Sequence, residues 1–499
     1  MGRGAAYIFA ETIIGFISGY LLWLILTRIT SSEIIGTAST VISLATIFAT
    51  IATIGVPTGA SRFLAKFFHD GQLEDAKTIV QSSLILVIFG IICSVATLLV
   101  VKEWIGLDLD IPLTISTALI IASTAISILM QSIIIASLRT RIIPITMIIA
   151  SSARTISVII LVLSYTGALG IVIGNSIHPI IMSIALGISI IGLLARNMEI
   201  TKTVESIKGY FKTILKASLP SWLPRLITIA GGANLGTVIV YGSIGPSEAA
   251  SFFIANTIAG GIFALVTPLQ EIAYPALSAM SDGRKKFAWR IIKISLIILS
   301  PIVMSIIFYS DEVISLLGRD YIDASLFLRI LLLGVLPNSV SAMVTQLVYA
   351  YGNYKQVLYL GLASSIPRTV LYFLLVPYFG GTGAATSYLV GSIIGFALSI
   401  LVSQKIGLII QWKYLFVISI VPLAISFMLD LLEINFILAI ISIIIISLII
   451  FLKLKILTET DVNDGIYVLP HKLAKPLDLV FSRVGRALNK DYSQGKHEN

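Results

Sequence analysis

The sequence predicts an all-α polytopic membrane protein with about 14 transmembrane helices. Of its 499 residues, 57% are hydrophobic and only 12% are charged, and the mean hydropathy is +1.01. A soluble domain carries about 25% charged residues, so roughly half of the usual charge is missing. Burial in a core does not explain such a deficit, whereas long lipid-facing segments do. The positive charges support the same class, because most of them fall in alternate loops.

Runs of about 20 apolar residues, the length that crosses the hydrocarbon of a bilayer, mark the spans. In chain order they are predicted at Tyr7–Thr27, Ile34–Val56, Thr78–Val101, Leu113–Leu138, Pro144–Tyr165, Ala168–Leu194, Ala217–Tyr241, Ala249–Ile272, Ile291–Tyr309, Leu326–Ala350, Val357–Tyr378, Gly383–Val402, Leu415–Leu429 and Ile434–Leu452. The side that holds both termini carries most of the 34 lysines and arginines, and the loops opposite have only Arg28, Lys102 and Arg319. Positive charge accumulates on cytoplasmic loops, so this pattern predicts a multi-pass protein of the cell membrane with both termini in the cytoplasm.

The chain is predicted to contain two similar halves. Between spans six and seven, residues 200–216 (ITKTVESIKGYFKTILK) place apolar residues at helical spacing against lysines, which predicts an amphipathic helix at the membrane surface. Ser-Ser pairs followed by Arg154 and by Arg368 occupy corresponding places in spans five and eleven. An even number of helices per half gives parallel repeats, which is typical of transporters with a central cavity.

The predicted domains follow from this repeat. They are residues 1–199, the first six-helix lobe; 200–216, the amphipathic inter-lobe helix; 217–404, the second six-helix lobe; 405–452, two additional C-terminal helices; and 453–499, a basic cytoplasmic tail. The two lobes are expected to surround a central cavity, and the last two spans lie outside the repeat.

The sequence offers little for catalysis. Its one cysteine, Cys93, lies in an apolar segment, and the four histidines have no metal-ligand spacing. Nucleotide-binding and nucleic-acid-binding motifs are not found. We therefore expect no catalytic residues, no metal, no cofactor and no nucleic-acid partner, and interpret the chain as a monomeric transporter and not an enzyme.

Charged side chains inside the spans mark the candidate binding site. An arginine near the bilayer centre costs about 2.5–3.5 kcal/mol on insertion scales. Arg154 and Arg368 lie deep in their spans, and Arg225 lies in SLPSWLPRLITIAGGANLG, where prolines and glycines are expected to loosen the helix beside a cavity. Only Glu11 and Glu271 are acidic within the spans, so the cations outnumber the anions. A basic cavity for an anionic head group resolves this surplus, because a guanidinium binds phosphate oxygens bidentately and keeps its proton.

Each charged candidate also has a structural interpretation. Arg154 and Arg368 would then bond backbone carbonyls within their lobes. Glu11 either pairs with Arg225, binds a proton or cation, or simply faces the inner surface. Arg62, which follows span two, either meets the head group on entry or is an ordinary inner-surface charge.

Uncharged polar residues inside the spans are weaker candidates. Asn175, Asn234 and Gln270 either hydrogen-bond sugar hydroxyls or hold helices together. His178, which precedes Pro179, is interpreted as a residue of a helix kink.

Four stretches resemble a known family. Span two runs into GVPTGASRFLAKFFHDGQLEDAK, which is similar to the inner-loop signature of the polysaccharide flippases of the O-antigen type. The stretches QEIAYPALSAMSDGR, LRILLLGVLPNSVSAMVTQLVYAYGNYK and PYFGGTGAATSYLVGSIIG resemble the second-lobe counterparts, the last with a Gly-x-Gly-Ala-Ala turn. That family belongs to the multidrug/oligosaccharidyl-lipid/polysaccharide exporter superfamily. Over residues 7–452, the resemblance implies two six-helix lobes, alternating access, and an oligosaccharide linked to a polyprenyl or dolichyl phosphate or diphosphate as cargo.

The expected function is therefore that of a flippase, which moves this cargo from the cytoplasmic to the outer leaflet. Its partners would be the lipid-linked oligosaccharide and membrane lipids, and the use of a proton or sodium ion for coupling stays open. A sodium- or proton-coupled multidrug extruder is an alternative, but it would need an acidic or apolar cavity. A membrane-embedded glycan polymerase or ligase is an alternative of another class. It would need an aqueous catalytic loop, and the longest predicted outer loop is only Ser310–Ser325.

Overall fold

A computed structural model describes residues 2–104, 109–194 and 204–457 of the chain. Within these residues the regular structure consists of α-helices and one short 3₁₀ helix, without β-strands. This confirms the predicted all-α class. The basic tail predicted from residue 453 lies outside the described residues from residue 458 onwards.

The helices before residue 245 are α1 Gly2–Ile29, α2 Ser32–Thr53, α3 Val56–His69, α4 Leu73–Trp104, α5 Ile111–Ala136, α6 Ile142–Leu163, α7 Gly167–Leu194, α8 Val204–Ala230 and α9 Ala233–Ser243. Those that follow are α10 Pro246–Ala264, α11 Thr267–Ala279, α12 Arg284–Phe308, α13 Ser310–Ser315, the 3₁₀ helix Arg319–Tyr321, α14 Ala324–Leu333, α15 Val335–Ala350, α16 Tyr354–Lys405, α17 Trp412–Leu431 and α18 Phe436–Lys453. Polar residues define several starts. The Asp110 carboxylate accepts a hydrogen bond from the Leu113 backbone N–H at 2.9 Å and so caps α5.

Twelve helical stretches within the described residues are long and apolar enough to cross a membrane. The chain is therefore a multi-pass membrane protein, but the predicted count of fourteen spans is not confirmed. One difference is α16, whose 52 residues correspond to about 78 Å, far more than a bilayer needs. It covers predicted spans eleven and twelve, and Gly380 between them has a non-helical backbone (φ 53°, ψ −133°). The other difference is predicted span eight, Ala249–Ile272, which falls on α10, α11 and the break between them.

Two helices, α2 and α10, end at a break that is followed by a proline-led helix. Ile54 and Gly55, both at positive φ (48° and 69°), separate α2 from α3, and Pro57 lies in the first turn of α3. Residues 265–266 separate α10 from α11, which has Pro268 in its first turn. Proline disfavours a helical conformation in the residue before it and is tolerated in a first helical turn, so each proline marks the start of a new helix.

Contacts group the chain into two compact units. Unit 1 consists of the described residues within 1–9, 255–363 and 389–499, and unit 2 of the described residues within 10–254 and 364–388. In unit 2, α2 is buried along most of its length and packs against α4, α5 and α9. In unit 1, α12 packs against α11, α15, α17 and α18 around a core that includes Trp289, Met343 and Phe451. The lobe boundaries given above stay a prediction.

The described part of the predicted amphipathic helix continues into the first part of predicted span seven as one helix, α8, which ends at Ala230. Within unit 2 the Tyr210 hydroxyl donates to Asp75 Oδ1 at 2.9 Å, and Trp222 Nε1 donates to the Thr50 carbonyl at 3.2 Å. Gly59 of α3 lies so close to Ser218 of α8 that a Cβ would collide with it. The hydrogen bonds thus hold α8 against α4 and the end of α2, and the small residues let it approach α3 closely.

Candidate functional site

Polar side chains of α1, α5, α6 and α7 meet within unit 2. Glu11 and Ser18 lie two turns apart on one face of α1. The Glu11 carboxylate accepts a hydrogen bond from the side-chain amide of Gln131 on α5. Ser18 Oγ accepts one from Arg154 Nη2 of α6 at 3.4 Å. These four residues, with His178 of α7, are named the α1–α7 cluster.

Arg154 lies near the middle of α6. In the part of the chain that the structure describes, Ser18 is its one hydrogen-bond partner, and its buried Nε has none. A guanidinium has five N–H donors, so the protein uses little of this capacity. A charge in a membrane-spanning helix needs a protein partner, water or an anionic ligand. Arg154 is therefore well suited to receive anionic oxygens.

The side chains of α7 near Arg154 are largely engaged locally. His178 Nε2 lies 3.1 Å from Sδ of Met147, and His178 is within electrostatic range of Arg154. Asn175 Nδ2 donates to the Ile171 carbonyl of its own helix at 2.9 Å. This contact satisfies local backbone, and the prediction that Asn175 binds sugar hydroxyls stays a prediction.

Arg368 of α16 has a different environment within unit 2. Its side chain is only 6% exposed, and its guanidinium carbon lies 4.0 Å from the centroid of the Tyr388 ring. Its Nη1 donates to the Gly231 carbonyl at 3.5 Å, just beyond the end of α8. Carbonyls at a helix end lack partners in a following turn, so an arginine there is stabilising. These contacts support the structural interpretation of Arg368, and its predicted role in substrate binding is not tested by them.

The break between α8 and α9 lies at Gly231 and Gly232, whereas the helix continues through Pro220 and Pro224. Interruption of span seven was expected, and the glycines determine its position. The backbone of Arg225 belongs to α8, but its side chain lies outside the described part of the structure. Its pairing with Glu11 therefore stays a prediction.

The other candidates have environments of their own. Arg62 is exposed on α3, and Asn234 is half-buried on α9. In unit 1, Gln270 is 2% exposed, and its Nε2 donates to the Ser339 carbonyl at 3.1 Å and to Ser339 Oγ at 3.0 Å, with Ser295 Oγ at 3.5 Å. Gln270 thus joins α11, α12 and α15. The predicted site residues do not form one set of contacts in the described structure.

Several contact residues were not predicted from the sequence, among them Gln131, Tyr388 and Glu248. Gln131 could have been found, because it is a lone glutamine in the apolar run SILMQSIII. The pairing of Arg368 with Tyr388 could not, because in a straight helix they would lie about 30 Å apart. The non-helical Gly380 lets the chain fold back between them. The Glu248 carboxylate accepts a hydrogen bond from the Gly381 N–H at 2.7 Å and caps the second part of α16.

Metal binding has no structural support within the described ranges, where no three His, Cys, Asp or Glu side chains come together. What the α1–α7 cluster offers is a cation with unfilled donors, a carboxylate and a glutamine amide. The amide and the carboxylate bond each other, which leaves the unfilled guanidinium donors of Arg154 for a negatively charged group.

Comparison with known proteins identifies relatives of the chain. A sequence model of the family described as "Polysaccharide biosynthesis protein" matches residues 25–326. A search of curated proteins gives no match. The solved structure "Lipid II flippase MurJ, inward closed conformation" aligns with a TM-score of 0.67 at 18% identity and covers 90% of this chain and 98% of that chain. An inward-facing multidrug resistance MATE family transporter of the MOP superfamily aligns with a TM-score of 0.59 at 16% identity and covers 81% and 96%. At such identities the structural similarity establishes a common fold.

Proposed function

The chain belongs to the polysaccharide biosynthesis protein family, and on this premise we propose that it is a flippase for a lipid-linked oligosaccharide. The lipid would be a polyprenyl or dolichyl phosphate or diphosphate. The head group crosses from the cytoplasmic to the outer leaflet of the cell membrane while the lipid tail stays in the bilayer. The fold shared with a lipid II flippase supports a lipid-linked cargo. Alternating access of two lobes, residues 1–199 and 217–404, is the proposed movement.

The observation that carries this proposal is the environment of Arg154. It is a permanently charged side chain in the middle of a membrane-spanning helix, and the described protein gives it a single, long hydrogen bond. Phosphate oxygens accept paired N–H bonds from a guanidinium in a fixed planar geometry. We assign Arg154 to the phosphate group of the cargo.

Other cations have supporting roles in the proposal. Arg62, which is exposed on α3, meets the diphosphate as it enters from the cytoplasm. Arg225 contributes to the same basic cavity, as predicted from the sequence. Arg368 turns from the Gly231 carbonyl toward the cargo when the phosphate approaches, because an anion is a stronger acceptor than a neutral carbonyl.

The multidrug extruder is the remaining alternative within transporters. Its fold does not distinguish it from a flippase, because both solved structures named above share that fold with this chain. The chemistry of the cluster does distinguish them. A cationic drug beside Arg154 would face charge repulsion in a medium of low dielectric constant.

Reconstitution in liposomes tests the proposal. The purified chain is incorporated with a fluorescent lipid-linked oligosaccharide, and transfer between leaflets is followed with a membrane-impermeant quencher. We expect transfer by the wild-type chain and a loss of about tenfold or more for Arg154→Gln, because a hydrogen bond to a charged group contributes about 1.5–3 kcal/mol. Arg141→Gln is the matched control, since this exposed arginine lies just before the same helix.

The outcomes separate the hypotheses. Full transfer by a folded Arg154→Gln variant would remove this residue from the site. A wild-type chain that moves no lipid-linked oligosaccharide, with or without proton or sodium gradients, contradicts the flippase. Extrusion of a cationic dye by that same preparation would establish the multidrug alternative.

A further inference from the structure

Four tyrosines gather in unit 1 where α11 and α15 end and α16 begins. The Tyr274 and Tyr349 ring centroids lie 6.3 Å apart with the planes at 74°, and those of Tyr349 and Tyr354 lie 6.0 Å apart at 66°. These are edge-to-face contacts, the arrangement that aromatic quadrupoles favour. Tyr351 lies between Tyr349 and Tyr354 in the chain. Together these four residues are named the tyrosine cluster.

The turn that carries three of the four rings is held by its own backbone. Gly352 has φ 73°, and its N–H donates to the Tyr349 carbonyl at 2.9 Å. The Asn353 N–H donates to the Val348 carbonyl at 3.2 Å, which completes a Schellman motif at the end of α15. The Asn353 side chain then accepts from the Gln356 N–H and caps α16. The rings are therefore fixed relative to one another before any ligand arrives.

Arg284 ties this turn to the end of α11. Its Nε donates to the Met280 carbonyl at 2.6 Å, and its Nη1 approaches the Ala350 carbonyl at 3.4 Å. The guanidinium also lies over one face of the Tyr351 ring, 5.4 Å from the centroid. A cation at two helix C-termini is stabilising, and stacking on the ring adds a cation–π interaction. Arg284 thus fixes Tyr351.

The cluster is not covered by the rest of the described protein despite this order. Tyr274 is 38% exposed, Tyr351 41% and Tyr354 52%. A group of exposed aromatic rings on a surface marks an interaction site. Tyrosine is well suited to one, because it offers a large rigid face at low entropic cost together with a hydroxyl.

We propose that the tyrosine cluster is a docking surface for the sugar rings of the lipid-linked oligosaccharide, an inference that rests on the proposed function. The C–H face of a pyranose ring is weakly positive and packs on the negative face of an aromatic ring. The sugar hydroxyls at the ring edge bond to the tyrosine hydroxyls. The chain belongs to a polysaccharide biosynthesis protein family, so sugar rings are the ligand that we expect at this surface.

The position of the cluster along the chain agrees with cargo loading. It adjoins Lys285, Lys286 and Lys355, in segments whose positive charge predicts the cytoplasmic side. The head group of the cargo is presented on that side before transfer. Docking there would select a carrier that bears sugar over one that does not.

A membrane-interface belt is the competing explanation, because tyrosines are enriched at headgroup level in many membrane proteins. Belt residues face lipid, whereas Tyr274, Tyr349 and Tyr354 form ring pairs and Tyr351 lies under Arg284. Tyr359 of α16 provides the comparison. It is 57% exposed and belongs to no ring pair in the described structure.

Binding to the full-length purified chain tests the inference with two probes. One is polyprenyl diphosphate that carries a labelled neutral oligosaccharide, and the other is bare polyprenyl diphosphate. For Tyr351→Ala combined with Tyr354→Ala we expect about tenfold weaker binding of the first probe and unchanged binding of the second. The corresponding double change to phenylalanine keeps the rings and should retain most of the affinity. Tyr359→Ala should bind both probes as the wild type does.

Three results would overturn the inference. The first is a double alanine variant that binds the sugar-bearing probe as tightly as the wild type does. The second is an equal loss of affinity for both probes in a double alanine variant with an unchanged melting temperature. The third is the same loss of affinity in Tyr359→Ala. A wild-type chain that binds neither probe contradicts the proposed cargo, and the docking surface falls with it. If the wild-type chain binds both probes and the variants bind them with the same affinity, the docking surface alone is contradicted.

Discussion

Gln270 illustrates what a single buried amide contributes inside a membrane protein. Its side chain bonds to Ser339 of a neighbouring helix, whereas Asn175 bonds only within its own helix. Hydrogen bonds between membrane helices contribute about 0.6 kcal/mol on average and up to about 1.7 kcal/mol. We expect Gln270→Ala to lower the free energy of unfolding by about 1–2 kcal/mol, because its bonds join helices and are fully buried.

Thermal unfolding in detergent measures this effect. Asn175→Ala is the matched control and should change the melting temperature less, since the loss of a bond within one helix leaves no neighbouring helix unpaired. Equal shifts for the two variants would show that Gln270 does not join helices in the way described.

The two arginines of the predicted repeat show which properties of a residue can be predicted from the sequence and which cannot. That Arg154 and Arg368 lie inside helices could be predicted, because each interrupts an apolar run. Their different environments could not, because the partners come from elsewhere in the chain. Arg154 bonds to Ser18 of α1, whereas Arg368 bonds to the Gly231 carbonyl and stacks on Tyr388.

At the scale of elements, the interruption of α16 depends on one glycine and one carboxylate. Gly380 has φ 53° and ψ −133°, a backbone conformation that residues other than glycine rarely adopt. A Cβ added at this position would also meet the Glu248 carboxylate. We expect Gly380→Ala to destabilise the protein by about 1–3 kcal/mol through backbone strain. Glu248→Ala should cost about 1 kcal/mol, because the Gly381 N–H loses its cap.

Melting temperatures of the purified variants check both expectations. Gly192→Ala is the control, since this glycine lies within α7 and a Cβ there would meet no atom within 4 Å. Alanine favours the helix, so that variant should be as stable as the wild type or slightly more stable. A Gly380→Ala variant that matched it would exclude strain at the interruption.

The approximate position and length of the spans could be predicted from the sequence, but the residues at which helices end could be predicted only in part. Apolar composition fixes roughly where a segment enters and leaves lipid, so most of the predicted spans coincide with helices. Breaks depend on local chemistry that hydropathy does not record. Pro268 was a usable signal for the break in predicted span eight, and Pro57 for the start of α3. The α8–α9 break lies at Gly231 and Gly232, so of the prolines and glycines in that stretch only the glycines mark its position.

At the scale of the whole molecule, the charge pattern predicts which loops face the cytoplasm. Replacing Cys93, the one cysteine of the sequence, by serine gives a background for single-cysteine variants. A membrane-impermeant maleimide applied to intact cells should label Asp320→Cys, and it should label Asp70→Cys and Asp282→Cys only after permeabilisation. All three aspartates are exposed, so access depends on the side of the membrane.

The pair Asp70 and Asp282 also tests the repeat. Parallel halves place both on one side of the membrane, whereas inverted halves would place them on opposite sides. Labelling of one but not the other from outside the cell would contradict the parallel arrangement.

The family and the fold class could be predicted from motifs and composition, and both are confirmed. The cargo could not be identified from motifs and composition. A flippase and a multidrug transporter share this architecture at low sequence identity, so what distinguishes them is the chemistry of a few side chains. We propose that Arg154 is one of them in this chain.

The proline-led breaks after α2 and α10 also determine how the chain bends between successive helices. Each break connects two stiff rods, α2 with α3 or α10 with α11, through a joint of only two residues, Ile54–Gly55 in one case and residues 265–266 in the other. Bending at a joint leaves the hydrogen-bond ladder within both rods intact, so its elastic cost is confined to a couple of peptide groups. A proline at the start of the second rod keeps the ladder from closing across the joint.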